Sequence, residues 1–317
     1  MTKNINILFL GGAKRVSLAE EFIRAGKELG INIAIFSYEL NDDCPISFVG
    51  NVIQGKKWSD KSVITHISET IEKYKIDILL PFVDPATIIA SEIKESSKNG
   101  VFIPVSDVEM CSIFFNKRLA NNWCKENNIA IPKDDLLDFP LIAKPLEGSA
   151  SKGIIILNNE SELRNLEQKD KYLIQQFIKG EEYTIDIYRT VRTNKILSIV
   201  PRQRLETQGG ESIKSITKRN AKIETFARNI IEKTKLVGAL TLQILKDKEQ
   251  NLFFMEINPR FGGGVLNSIA AGADSPMYLL RDFLKMDEFS NEKWTDNLMM
   301  IRRFKEYYKV KEYADNN

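Results

Sequence analysis

Phe253-Phe254-Met255-Glu256-Ile257-Asn258-Pro259-Arg260, closed by Phe261-Gly262-Gly263-Gly264, is the stretch on which the reading of this chain turns. Side chains at i and i+2 of a strand share one face, so Glu256 and Asn258 point together while Phe253, Met255 and Ile257 are expected to enter a core. Two oxygens side by side on a rigid strand suit a hard divalent cation, and Arg260 just beyond the turn can hold an anion. The lesser alternative, with the stretch taken alone, is a strand with a solvated polar face.

Just upstream, Leu242–Leu245 can pair with Phe253–Glu256 as an antiparallel hairpin around Glu249-Gln250. A symmetric loop makes paired positions sum to 499 and sets Gln243 opposite Glu256, where its amide can join the same cation site. Farther back, Lys144 is the only charge in the apolar run Pro140–Pro145. A buried ammonium needs an anionic partner, although a lysine at a strand end can also snorkel to water.

Glu147–Gly153 follows, a Gly-Ser loop whose backbone N–H groups and hydroxyls are free to approach a phosphate, or simply a hairpin turn. The strand from Tyr172 then runs into an extended hinge at Phe177-Ile178, where exposed backbone beside apolar side chains can read a flat base. Glu182 lies close by for sugar hydroxyls, and Arg202 and Arg204 share a face two residues apart before Gly209-Gly210.

Residues 1 to about 110 alternate strand and helix: Ile5–Leu10, Ser17–Leu29, Ile33–Ser37, Asp60–Lys73, Ile76–Pro81, Pro85–Ser96 and Val101–Pro104. That alternation predicts a parallel sheet covered on both faces, with ligands gathering beyond the carboxyl ends of its strands. Arg15, after the Gly11-Gly12 turn, and Asp84, after Pro81, are substrate-contact candidates there. The glycine pair completes neither a dinucleotide fingerprint nor a P-loop. A single helix is expected to hold Phe114, Phe115, Lys117, Trp123 and Cys124.

The bulk numbers narrow the chemistry. A chain of 317 residues exceeds one ordinary core. Its net charge of +2 gives no general signal for nucleic acid. Three cysteines without metal-like spacing fit a reducing cytoplasm, and with a single histidine, His66, the chemistry must rest on lysine, arginine, carboxylates and amides. Neither a signal peptide nor an apolar run of membrane-spanning length is evident, and the residues after Tyr307 read as a polar tail.

The order Lys117, Lys144, Gly-Ser lid, base-reading hinge, acidic sugar contact, then Gln243, Glu256 and Asn258 with Arg260 resembles the ATP-grasp superfamily. The run Glu-Ile-Asn-Pro-Arg-Phe-Gly-Gly-Gly looks most like its carbamoyl-phosphate-synthase-large-chain-like branch. The resemblance spans essentially the whole chain. It implies an α/β and α+β architecture: a parallel-sheet pre-ATP-grasp domain over 1–110, a lid and linker lobe over 111–178 and a catalytic lobe over 179–317. It further implies that Lys117 and Lys144 contact ATP phosphates, that Ser149, Ser151 and Gly153 belong to the lid, and that Gln175, Gln176, Phe177 and Ile178 meet adenine. Glu182 would hold the ribose. Gln243, Glu256 and Asn258 would bind Mg2+, two ions with Mn2+ able to substitute. The family often carries an acidic residue where this chain has Asn116, and a hinge glutamate where it has Gln175-Gln176.

The expected reaction is a cytoplasmic ATP-dependent coupling of a small-molecule carboxylate to an amine or ammonia through an acyl phosphate. Arg260, with Arg202 and Arg204, is placed to steady the oxyanion. A homodimer, with neither membrane nor nucleic-acid partner, completes the expectation. The competing readings are a kinase-like or carbamoyl-phosphate-type phosphoryl transfer and a non-catalytic ATP-binding module.

Overall fold

The computed structural model describes residues 3–96, 100–134, 138–148, 152–287, 293–303 and 305–310. The first unit holds β1 (Lys3–Leu10), α1 (Val16–Glu28), β2 (Ile31–Glu39), β3 (Asn51–Gln54), α2 (Val63–Lys73), β4 (Ile78–Pro81) and α3 (Asp84–Ser96). Its four strands are parallel in the order β3-β2-β1-β4. β1 buries both faces, as a strand in a helix-covered parallel sheet must. Ile5, Ile7 and Phe9 pack with Phe22 of α1, while Leu8 and Leu10 pack with Ile67 of α2 and Ile89 of α3. The expected strand at Val101–Pro104 reduces to one parallel bridge between Ile78 and Phe102.

The next segment corrects the sequence reading. Where one helix was expected, α4 (Val108–Phe115) ends and α5 (Lys117–Glu126) begins afresh at Asn116. The Asn116 side chain accepts hydrogen bonds from the N–H groups of Arg118 and Leu119, an N-cap that interrupts the helical path and puts Lys117 in the first turn. A small antiparallel sheet follows, ordered β6-β5-β7 and built from β5 (Leu141–Pro145), β6 (Ile155–Leu157) and β7 (Tyr172–Gln176), with α6 (Glu160–Asn165) between the last two. It has its own core around Leu141, Ala143 and Leu157.

The third unit is a six-stranded antiparallel sheet. Its elements are β8 (Gly180–Arg189), β9 (Ile196–Gln208), β10 (Glu211–Thr217), α7 (Ala221–Lys233), β11 (Gly238–Asp247), β12 (Leu252–Asn258), α8 (Val265–Ala270), α9 (Ser275–Phe283) and β13 (Met299–Ile301), in the order β12-β11-β8-β9-β10-β13. β9 runs straight through Pro201. The Pro201 carbonyl accepts from the N–H of Lys218, one residue past the last β10 pair, Thr217 with Arg202. Its missing N–H therefore faces the place where the β10 ladder stops, and little pairing is lost.

The first and third units share a core. Phe261 lies 5.8 Å from the Phe22 ring and 6.1 Å from that of Phe82, and Tyr278 joins the same cluster. This anchor sets the Arg260–Gly264 turn at the carboxyl ends of β1 and β4. Among the described residues no helix is long and apolar enough to cross a membrane.

Candidate active site

The pairing of β11 with β12 sets Thr241, Leu242 and Gln243 against Asn258, Ile257 and Glu256, so positions there sum to 499 as expected. Beyond Gln243 the ladder slips by one, Ile244 facing Phe254, and Met255 is the extra residue of a β-bulge. The slip reverses which side chains face inward. Leu252, Phe254 and Ile257 are buried in the core, and Met255 turns onto the cleft wall beside Glu256. The expected inward trio of Phe253, Met255 and Ile257 is thus corrected at its first two members, because strict alternation does not survive a bulge.

A chain of polar contacts runs from the floor of the cleft into the first unit. Asn258 Nδ2 donates to Glu256 Oε1 at 3.1 Å, and Arg260 Nη2 donates to Asn258 Oδ1 at 3.3 Å. Arg260 in turn holds Asp84 through Nε at 2.7 Å and Nη2 at 2.6 Å. Farther across the sheet, on β9, Arg204 donates to Gln243 Oε1 at 3.1 Å and to the Gly210 carbonyl at 3.0 Å, and pairs with Glu182 at 3.2 Å. Arg202 is buried, with Nε 2.6 Å and Nη2 3.2 Å from the Asp186 carboxylate, which Ser268 also hydrogen-bonds. This guanidinium is committed to a buried pair that fixes β8 to β9.

Opposite this floor, Lys117 donates to the Gly148 carbonyl at 2.9 Å. Lys144 is buried, with its ammonium 3.3 Å from Gln175 Oε1 and 4.0 Å from the Met255 sulfur. Burial pushes its pKa down to about 8, against the pull of Glu256. Gln175 spends the rest of its amide on Asn121 Oδ1 and the Pro132 carbonyl, so it positions Lys144 and offers no free edge to a base. The backbone N–H groups of Gln176 and Phe177 are taken by the carbonyls of Lys133 and Pro140. Neither of those residues nor Ile178 lines the cleft. Ser149 and Ser151 fall outside the described residues; Gly153, at φ +74°, turns the chain against Pro145.

Two cavities result. The narrower one, of about 150 Å3, has Ile142, Pro145 and Ile154 on one wall and Tyr183, Ile244 and Met255 on the other, with Lys117, Lys144, Lys152 and Glu182 among its polar residues. The wider one, of about 640 Å3, is lined by Arg15, Phe82, Asp84, Arg202, Arg260, Glu211 and Gly262–Gly264. Arg204, Gln243 and Glu256 line both. The sequence reading missed the apolar walls and Glu211. Ile142 was accessible to it, since i and i+2 put it on the face of Lys144; Met255 was not, because its direction depends on the bulge.

The oxygens of Gln243, Glu256 and Asn258 suit a hard cation but include a single carboxylate. Among the described residues no group of three His, Cys, Asp or Glu side chains could hold a metal. Such a donor set fits Mg2+ arriving with a phosphate chain better than a resident ion. At the Gly11-Gly12 turn, the N–H groups of Gly12 and Ala13 stand close to the Glu39 carboxylate, and their pull partly offsets the burial that raises its pKa.

Residues 168–306 match a family model described as ATP-grasp in the biosynthetic pathway with Ter operon. A D-alanine–D-alanine ligase of Petrotoga mobilis is 25% identical over 61% of this chain and 70% of its own length. An N5-carboxyaminoimidazole ribonucleotide synthase of Staphylococcus epidermidis is 21% identical over 79% of this chain and 68% of its own. The biotin carboxylase domain dimer of Hydrogenobacter thermophilus 2-oxoglutarate carboxylase, solved with MgADP, ADP and bicarbonate, superposes with a TM-score of 0.73 at 16% identity, covering 93% of this chain and 73% of that one. These similarities do not single out the carbamoyl-phosphate-synthase-like branch.

Proposed function

Since this chain is an ATP-grasp superfamily protein, we propose that it is an ATP-dependent ligase joining a small-molecule carboxylate to an amine or ammonia. The observation that carries the reading is the shared wall: Glu256, Gln243 and Arg204 border both the lysine-lined cleft and the arginine-lined chamber. A nucleotide in the first and an acid in the second meet at one carboxylate and one amide. Mg2+ held by Gln243, Glu256 and Asn258 would neutralise charge on the terminal phosphates.

The protein's own groups do the rest. Lys144, kept charged at neutral pH against the pull of burial, holds its proton more firmly when a phosphate supplies the missing anion, and Lys117 meets the same chain from the first turn of α5. Ile142 and Ile154 against Ile244 and Met255 form an apolar slot for a flat ring. The acid's carboxylate oxygen attacks the terminal phosphorus, the bridging P–O bond breaks, and ADP leaves an acyl phosphate behind. The amine nitrogen then attacks the acyl carbon, phosphate departs with the C–O bond, and the nitrogen loses a proton to give the amide. Arg260, steadied by Asp84 and Asn258, supplies positive charge where the oxyanion develops.

The test is to incubate the protein with ATP, Mg2+ and pools of carboxylic acids and amines while recording ADP and phosphate. Release of both only when acid and amine are present together supports the ligase. A stable phosphorylated product replaces it with a kinase-like activity, bicarbonate-dependent turnover with a carboxylase, and tight ATP binding without turnover with a binding module.

A further inference from the structure

Among the described residues four arginines line the wider chamber and Arg302 reaches its glycine turn from outside; of these five, four have a carboxylate of their own. Arg202 holds Asp186 at 2.6 Å, Arg204 holds Glu182 at 3.2 Å, Arg260 holds Asp84 at 2.6 Å, and Arg302 holds Glu211 at 2.6 Å. Arg15 is the exception. Its guanidinium faces the Phe82 ring at 5.8 Å and the Gly263 backbone, and the hydrogen bonds of the described residues give it no acceptor. The nearest opposite charge is Glu211, already bonded to Arg302, while Arg260 and Arg302 repel it. Desolvation, the largest influence, takes its pKa down to about 10. A half-buried guanidinium without an acceptor is poorly compensated until an anion arrives.

The site is otherwise built for close approach. Gly263 and Gly264 stand where a Cβ would lie 3.4 Å from Arg15 Nη1 and 2.5 Å from Arg202 Nη1, so the glycine turn leaves room only because it has no side chains. Arg302 reaches over the same turn to the Gly263 carbonyl.

We propose that the acid accepted in this chamber carries a second anionic group, a carboxylate or a phosphate, and that Arg15 receives it while the reacting carboxylate lies toward Glu256 and Arg260. This deepens the ligase reading and rests on it for the role of the first carboxylate; the second anion's subsite is a matter of binding. Glutarate and 3-phosphonopropionate carry two anionic groups on a short chain, and valerate carries one on a chain of like length. A fork of N–H donors with no competing acceptor among the described residues makes charge-assisted bonds to either kind of anion.

The experiment is calorimetric titration of the full chain, holding Mg2+ and a non-hydrolysable ATP analogue, with these three acids. The dianions are expected to bind at least about tenfold tighter than valerate, which is roughly what one charge-assisted contact provides. Arg15→Met erases that difference while leaving affinity for the ATP analogue within about twofold, and Arg15→Lys recovers part of it. Glu211→Gln, which adds one net positive charge beside Arg15, tightens dianion binding, a direction that a purely structural role would not produce. Whether glutarate or the phosphonate gains more identifies the second anion as carboxylate or phosphate. Equal or absent binding of all three acids, or a dianion preference that survives Arg15→Met, overturns the proposal. Preserved preference without ADP release in the turnover assay would instead overturn the ligase reading and leave the subsite standing.

Discussion

Replacing Lys144 by methionine should stabilise the protein and cripple nucleotide binding at once. The residue is 6% exposed, and among the described residues its ammonium is hydrogen-bonded to Gln175 Oε1 and the Met255 sulfur alone. Burial takes its pKa from 10.5 to about 8. At 1.36 kcal/mol per pH unit, keeping the amine charged at pH 7 costs the folded state about 3 kcal/mol. Methionine removes that cost but leaves Gln175 Oε1 without its donor, a loss of roughly 1–2 kcal/mol. The expected net gain is about 1–2 kcal/mol, or roughly 1.5–3 °C in melting temperature for a chain of this length.

The pH dependence gives the same reasoning a second test. Between pH 8 and 10.5 the unfolded chain keeps a proton that the folded chain has released, so wild-type stability rises with pH across that window and the advantage of methionine shrinks. Urea unfolding at pH 7 and pH 10 measures both stabilities, and calorimetry with MgATP measures binding, expected to weaken at least about a hundredfold when a buried charged contact to phosphate is lost. A variant destabilised by more than about 1 kcal/mol at pH 7, or one binding ATP within threefold of wild type, would refute the argument that this lysine is held at a cost for an anionic ligand.

The remaining expectations are shorter. Wild-type affinity for MgATP should be flat below pH 8 and fall about tenfold per unit above it, because Lys144 must take up a proton to meet the phosphate; a titration series from pH 7 to 9.5 checks it. Glu256→Gln should lose at least about a hundredfold in turnover while unfolding within roughly 1 kcal/mol of wild type, since Asn258 can still donate to the amide oxygen; paired rate and urea measurements decide. Arg202→Met should destabilise by roughly 3–5 kcal/mol because Asp186 is left buried and unpaired, and adding Asp186→Asn should recover part of the loss in a double-mutant cycle. Asn116→Ala should cost about 1 kcal/mol of stability and weaken ATP binding severalfold, because the cap also fixes the turn that carries Lys117.

What could be read from the chain alone was local. Lys144 stood out because a charge in an apolar strand bounded by prolines needs a reason, and Gln243 followed from hairpin symmetry. The parallel sheet was legible because short strands rich in isoleucine, leucine and phenylalanine alternate with amphipathic helices. Roles that depend on a partner from elsewhere were not. Gln175 reads as a hinge amide, yet its direction is set by Lys144, 31 residues earlier, and by Asn121. Arg202 and Arg204 look equivalent on one face of β9, yet one is fixed by Asp186 and the other reaches Gln243. Arg15 acquires its significance only when β10 brings Glu211 close and Arg302 claims it.

The bulge at Met255 explains why the opening stretch can serve two surfaces. In strict alternation Phe254, Glu256 and Asn258 would share a face, and the strand would either expose Phe254 in the cleft or bury Glu256 in the core. The extra residue breaks the strand into two registers: Leu252 and Phe254 anchor one half beside Ile244 and Ile257, while Glu256 and Asn258 are released toward the cleft. Met255, left unpaired in the ladder, fills the wall between them and lies against Lys144. The apolar slot and the oxygen floor are therefore consequences of one inserted residue, which ties the position of a ring in the narrow cleft to that of the carboxylate shared with the arginine chamber.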